Sequence, residues 1–112
     1  MCITKLLVAN EWRSYQEAIA GIVELERPGI EVLKVDWTDL DAEITKQRPQ
    51  FVICNRITPA MESAVPFWIE LHPDDGPVSR VGFGGEVRLV QNLEVSDILG
   101  VLDEALLALE GG

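Results

Sequence analysis

The chain has 112 residues and is 47% hydrophobic, which is enough apolar content for one core and one domain. Asp and Glu number 19 against 9 Lys and Arg, a net charge of -10 that repels phosphate backbones and anionic lipid, so neither direct nucleic-acid binding nor a membrane role is expected. Cys2 and Cys54 form no metal-ligand pattern, the start lacks a signal-peptide profile, and no apolar run approaches the roughly 20 residues that cross a bilayer; the expectation is a soluble protein of the reducing cytoplasm with no metal and no cofactor.

Ile3 to Ala9 is a nearly unbroken apolar run and predicts the central strand of a parallel sheet, buried on both faces. From Trp12 to Glu26 the residues Tyr15, Ile19, Ile22 and Val23 recur at helical spacing, and Arg27-Pro28-Gly29 supplies the stop. Ile30 to Val35 reads as a second strand, and Thr38 with Asp41 three positions on suggests a capping box for a short helix through Leu40 and Ile44. Phe51 to Asn55 follows as a third strand. Strand-helix alternation of this kind implies right-handed crossovers and helices on both faces of a parallel sheet.

After Asn55 the pattern changes. About ten residues containing Pro59 and Pro66 precede the apolar run Phe67 to Leu71, too few for a full helix, so an antiparallel meander is expected from here. His72 to Pro77 is a dense turn signal, and Val78 to Phe83 and Glu86 to Val90 flank Gly84-Gly85 as the arms of a two-residue hairpin. Ser96 to Leu109 closes the chain as a helix whose apolar stripe is wider than one packing face needs. Ile98, Leu102, Ala105, Leu106 and Leu109 are therefore the expected face of a homodimer, formed with the adjoining hairpin.

Arg48-Pro49-Gln50 and the run Phe51-Val52-Ile53-Cys54 deliver one polar side chain, Asn55, to a strand end, with Pro59 four residues later. Leu6-Leu7-Val8-Ala9 likewise ends in Asn10-Glu11, and 44 positions separate Glu11 from Asn55. Over residues 1–60 this resembles the receiver domains of response regulators, in which two acidic residues after the first strand hold Mg²⁺ beside a phosphoaccepting aspartate at the end of the third. The resemblance implies a flavodoxin-like, receiver-like three-layer α/β/α fold over residues 1–112, with a parallel first half, a shortened region after the third strand, and a hairpin and helix to close. It also implies that Asn10, Glu11 and Asn55 occupy a degenerate phosphoacceptor pocket. An amide is a poor nucleophile and carries no charge for Mg²⁺. No lysine follows Lys46, so the ammonium that such domains place against the phosphoryl group is missing as well. The function implied is a non-catalytic regulatory or protein-interaction module in intracellular signalling or transcriptional control, not phosphorylated on Asp. The alternative is a small flavodoxin-like ligand-binding domain or enzyme with its site at the ends of strands 1 and 3.

Other polar groups have plainer readings. Cys54 has Arg56 nearby, which favours a thiolate, yet strand alternation points it into the core. His72, with Glu70 or Asp74, suggests a metal or base, but a solvated loop histidine is the better expectation. Gly82-Phe83-Gly84-Gly85 joins two strands and is read as a turn instead of a phosphate cradle. Trp12, Asp36, Trp37 and Arg56 follow strand ends on the edge where open α/β sheets bind ligands, and form a possible ligand rim; the indoles are expected simply to cover the tops of the first helix and strand. Asp36, Asp39, Asp41 and Glu43 are expected to form a solvated acidic surface.

Overall fold

The computed structural model describes residues 4–10, 13–71 and 78–111. Strands β1 (Thr4–Ala9), β2 (Ile30–Lys34), β3 (Phe51–Cys54), β4 (Phe67–Glu70), β5 (Val78–Phe83) and β6 (Glu86–Gln91) form one sheet in the order β2-β1-β3-β4-β5-β6. The first four are parallel and the last two antiparallel. Helices α1 (Arg13–Glu26) and α4 (Val95–Gly111) cover one face, and α2 (Leu40–Gln47) and α3 (Pro59–Ala64) the other. The chain is thus a three-layer α/β/α domain whose β1 is interior, between β2 and β3.

The two cores follow from strand alternation. Leu6, Val8, Phe51, Ile53 and Ile69 point to the α1/α4 side, where they meet Ile19, Val23, Ile98 and Leu102. Leu7, Ala9, Val52, Cys54 and Trp68 point the other way, onto Leu40, Ile44 and Met61. All four residues of β3 and all four of β4 are buried, which explains why those stretches read as continuous apolar runs and not as alternating ones. Across the first face, Arg27 at the end of α1 donates twice to Asp103 of α4, at 2.7 and 2.8 Å.

Four expectations need correction. The link after β3 is not too short for a crossover: Thr58 accepts from the Met61 N–H at 3.3 Å, Pro59 opens the first turn, and α3 carries the chain back so that β4 lies parallel to β3. A Thr cap followed by Pro was the sequence signal for that helix. The antiparallel half therefore begins at β5. Second, the helix over Leu40 and Ile44 is not capped by Thr38. Asp36 accepts from the Thr38 backbone N–H at 3.1 Å and its hydroxyl at 2.9 Å, starting a 3₁₀ turn, Trp37–Asp39, that runs into α2. A short carboxylate two residues ahead of a free N–H wins this competition. Third, Ile98, Leu102 and Ala105 are not a face for a second copy, because the chain's own sheet buries them. Leu106 is partly buried against the same core, and the Leu109 side chain lies outside the described residues. Fourth, Trp37 is not packed away as a cover over the first helix and strand, since it remains 45% exposed.

The hairpin is as expected. Gly84 and Gly85 take φ of 58° and 96°, which suits a two-residue turn between right-twisted strands and which residues with a Cβ rarely adopt. Among the described residues no helix is long and apolar enough to cross a membrane.

Candidate functional site: the strand-end edge

The parallel register lines up the ends of three strands. Ala9 pairs with Cys54, and Cys54 with Glu70, so Asn10 and Asn55 leave the sheet side by side from neighbouring strands. Asn10 is buried and Asn55 half-buried, while Arg56 is exposed. Glu11 and Trp12, the partners expected beside them, lie outside the described residues, as do His72 and Asp74.

Next to this row, beyond β1 and β2, lies a cleft of about 360 Å³ lined in part by Asn10, Arg13, Gln16, Lys34, Asp36 and Trp37. Gln16 holds its wall by donating to the Val35 carbonyl at 3.1 Å, and the Val35 N–H reaches the Val8 carbonyl at 3.1 Å. The two bonds from Thr38 keep the Asp36 carboxyl below its usual range, with Arg13 adding charge in the same sense. The expected rim is therefore split. Asp36 and Trp37 share the cleft with Asn10, whereas Asn55 and Arg56 are not part of its lining. Arg13, Gln16 and Lys34 escaped sequence reasoning because a polar residue on an exposed helix or strand end carries no signal of its own.

On the other side of Asn55 the edge is closed by ion pairing. Glu70 is only 5% exposed. It accepts from Arg80 of β5 at 2.7 and 3.1 Å and from the Ile57 backbone N–H at 2.7 Å. Arg80 also lies 3.5 Å from Glu62 of α3 and 5.3 Å from the centre of the Trp68 ring. This bidentate clamp ties β4, β5 and the loop after β3 together. A lone charge inside the run Phe67 to Leu71 was the available clue, since a buried carboxylate demands a partner.

Cys54 sits beneath the clamp. Its Sγ donates to the Arg56 carbonyl at 3.2 Å, and burial, reinforced by the charge of Glu70, pushes the thiol up to about 12. The guanidinium of Arg56 does not activate it, and Cys54 is a core residue. Glycine is required at position 82 because a Cβ there would lie about 2.0 Å from Trp68 Cε2, so the glycine run serves packing and turning. Among the described residues no three His, Cys, Asp or Glu side chains gather in a metal-binding arrangement. Comparison with family models, curated proteins and solved structures finds no match to this chain.

Proposed function

We propose that the chain is a non-catalytic, receiver-like regulatory or protein-interaction module of intracellular signalling or transcriptional control, and that it is not phosphorylated on Asp. One observation carries the reading: two polar groups at the strand ends, Glu70 and Cys54, are engaged in holding the fold. Glu70 is locked by Arg80 and the Ile57 amide, Cys54 is kept as a thiol by burial, and amides stand after β1 and β3, where a phosphoacceptor site needs carboxylates. The β2-β1-β3-β4 order of parallel strands supports a flavodoxin-like ancestry for this half, because it matches the first four strands of that order.

The test is incubation with acetyl phosphate and Mg²⁺ followed by intact-mass measurement. The mass is expected to stay unchanged, and a stable adduct of phosphoryl mass would overturn the reading. The cleft between β1 and β2 favours a second reading, a small-ligand-binding domain, since polar groups and an exposed indole converge there at the end of a parallel sheet. Native mass spectrometry of the purified protein separates the two. A stoichiometric co-purified small molecule, lost on Trp37→Ala, supports the ligand-binding domain, and its absence leaves the interaction module.

A further inference from the structure

The sheet has two edges, and they are finished differently. At β2 both faces are covered, Val32 packing on the α1/α4 core and Leu33 on the α2/α3 core. At β6 only one face is covered by the described residues. Val90 packs on the α1/α4 core, and Arg88 lies over the Phe83 ring and bonds Glu104 of α4 at 3.2 Å. Val87 and Leu89 point to the opposite face, where they are 52% and 70% exposed. That face continues inward through Gly82, opposite Val87, to Trp68, and bends into an apolar groove of about 390 Å³ lined in part by Pro66, Trp68, Gly85 and Val87.

The backbone is equally open. In a two-residue hairpin the pair flanking the turn, here Phe83 and Glu86, is hydrogen-bonded, so alternation turns the N–H and C=O groups of Val87, Leu89 and Gln91 toward the free edge. Of the usual edge-blunting devices β6 has only its two charges, Glu86 and Arg88, which alternate with the apolar Val87 and Leu89; it contains no Lys, no Pro and no bulge in its register with β5.

Charge selects the occupant. From Glu86 to Glu104 the chain carries five carboxylates and a single cation, Arg88; Glu104 pairs with Arg88 and Asp103 with Arg27, and the remaining three are Glu86, Glu94 and Asp97. Glu62 and Glu86 also line the groove. With a net charge of -10, this edge repels a second copy of the chain and attracts a basic segment. Building on the reading as an interaction module, we propose that β6 receives an added strand from a basic protein partner. Apolar residues of that strand, on every second position, cover Val87 and Leu89, and its Lys or Arg residues, on the alternate positions, face Glu86.

The probe is an end-blocked heptapeptide of alternating lysine and valine, with a glutamate-valine heptapeptide as control, titrated into the ¹⁵N-labelled chain. The expected result is shifted amide resonances along β6, slowed hydrogen exchange at Val87, Leu89 and Gln91, and binding that weakens with salt. Leu89→Lys should weaken binding at least tenfold. Val87→Pro should do the same by removing one outward donor while sparing the bonds to β5. Either variant is checked for an unchanged spectrum outside β5 and β6. The proposal is overturned if the basic peptide leaves β6 unmoved, if the acidic peptide binds as well, or if light scattering shows that β6 already pairs two copies in a dimer dispersed by Leu89→Lys. The phosphoryl-adduct test is independent of all three outcomes, so failure here leaves the non-catalytic reading standing.

Discussion

The parallel half and the hairpin share one sheet but solve different problems. Every residue of β3 is buried, whereas β6 has no buried residue at all. Strands clothed by helices on both sides have their side chains committed to packing, and what remains for contact is the ends of the strands. A strand at the edge, clothed on one side, keeps a whole face and a row of backbone groups available. The comparison teaches that in this domain the faces of the parallel strands are closed, leaving only their ends, while the antiparallel pair carries an open face.

The comparison breaks most decisively in α4. Leu102 is 1% exposed and Leu107 69%, so Leu102→Ala should cost about 2–5 kcal/mol while Leu107→Ala stays within about 0.5 kcal/mol. Urea denaturation of both variants measures this, and equal losses would mean that α4 packs otherwise than described. Next comes the joint between the halves. Arg80→Ala leaves Glu70 buried without its cation, and because Arg80 is itself one-third exposed the loss should be about 2–3 kcal/mol, short of the full cost of breaking a wholly buried pair. Arg80→Lys should recover only part of it, since an ammonium cannot reproduce the bidentate fork.

Gly82→Ala should cost about 1–3 kcal/mol, because the indole of Trp68 is held within the core and has little room to retreat from a new methyl group. The check is the tryptophan emission maximum, read with Trp12 and Trp37 replaced by Phe so that Trp68 alone reports, which should shift red if Trp68 is displaced toward water. The smallest effect belongs to the surface pair of Arg27 and Asp103. The hydrogen bonds from Arg27 lower the Asp103 carboxyl below its ordinary 3.8, so the stabilisation is complete above that value and disappears as the pH falls through the lowered one. The stability gap between the native chain and Arg27→Met should therefore close on acidification; a gap that widens would reverse the assignment.

Much of the architecture could be read directly from residue order. The strands β1, β2 and β3, helix α1, the Gly84-Gly85 hairpin and the final helix are all marked by local apolar period and turn chemistry, which depend on neighbours only a few positions away. Local reading failed where two local signals competed. A ten-residue link containing Pro59 and Pro66 reads as too short for a full helix, although Pro59 after a Thr cap starts one. Thr38 reads as a cap, although Asp36 offers the stronger acceptor to the same turn.

The site was less accessible. Asn10 and Asn55 could be placed at adjacent strand ends from sequence, because strand length and the parallel crossover bring them there. Residues that act in pairs across the sheet could not. Glu70 announces itself as a charge inside an apolar run, but nothing in the local sequence names Arg80, which reaches it only because β5 turns back antiparallel to β4. Likewise the apolar period of α4 is visible in the sequence, and yet which of its leucines meet the sheet depends on how the helix lies across it.

Sequence alone therefore determined the types of most elements, though not α3 or the 3₁₀ turn before α2, together with the alternation that builds two cores and the amides at Asn10 and Asn55, since each rests on residue identity and short-range spacing. Tertiary structure decided that β4 runs parallel, that Glu70 and Cys54 are engaged in the fold, and that the edge of β6 stays open on one face. Those outcomes depend on which surfaces meet across long stretches of chain, and burial, ion pairing and exposure come into being only when they do.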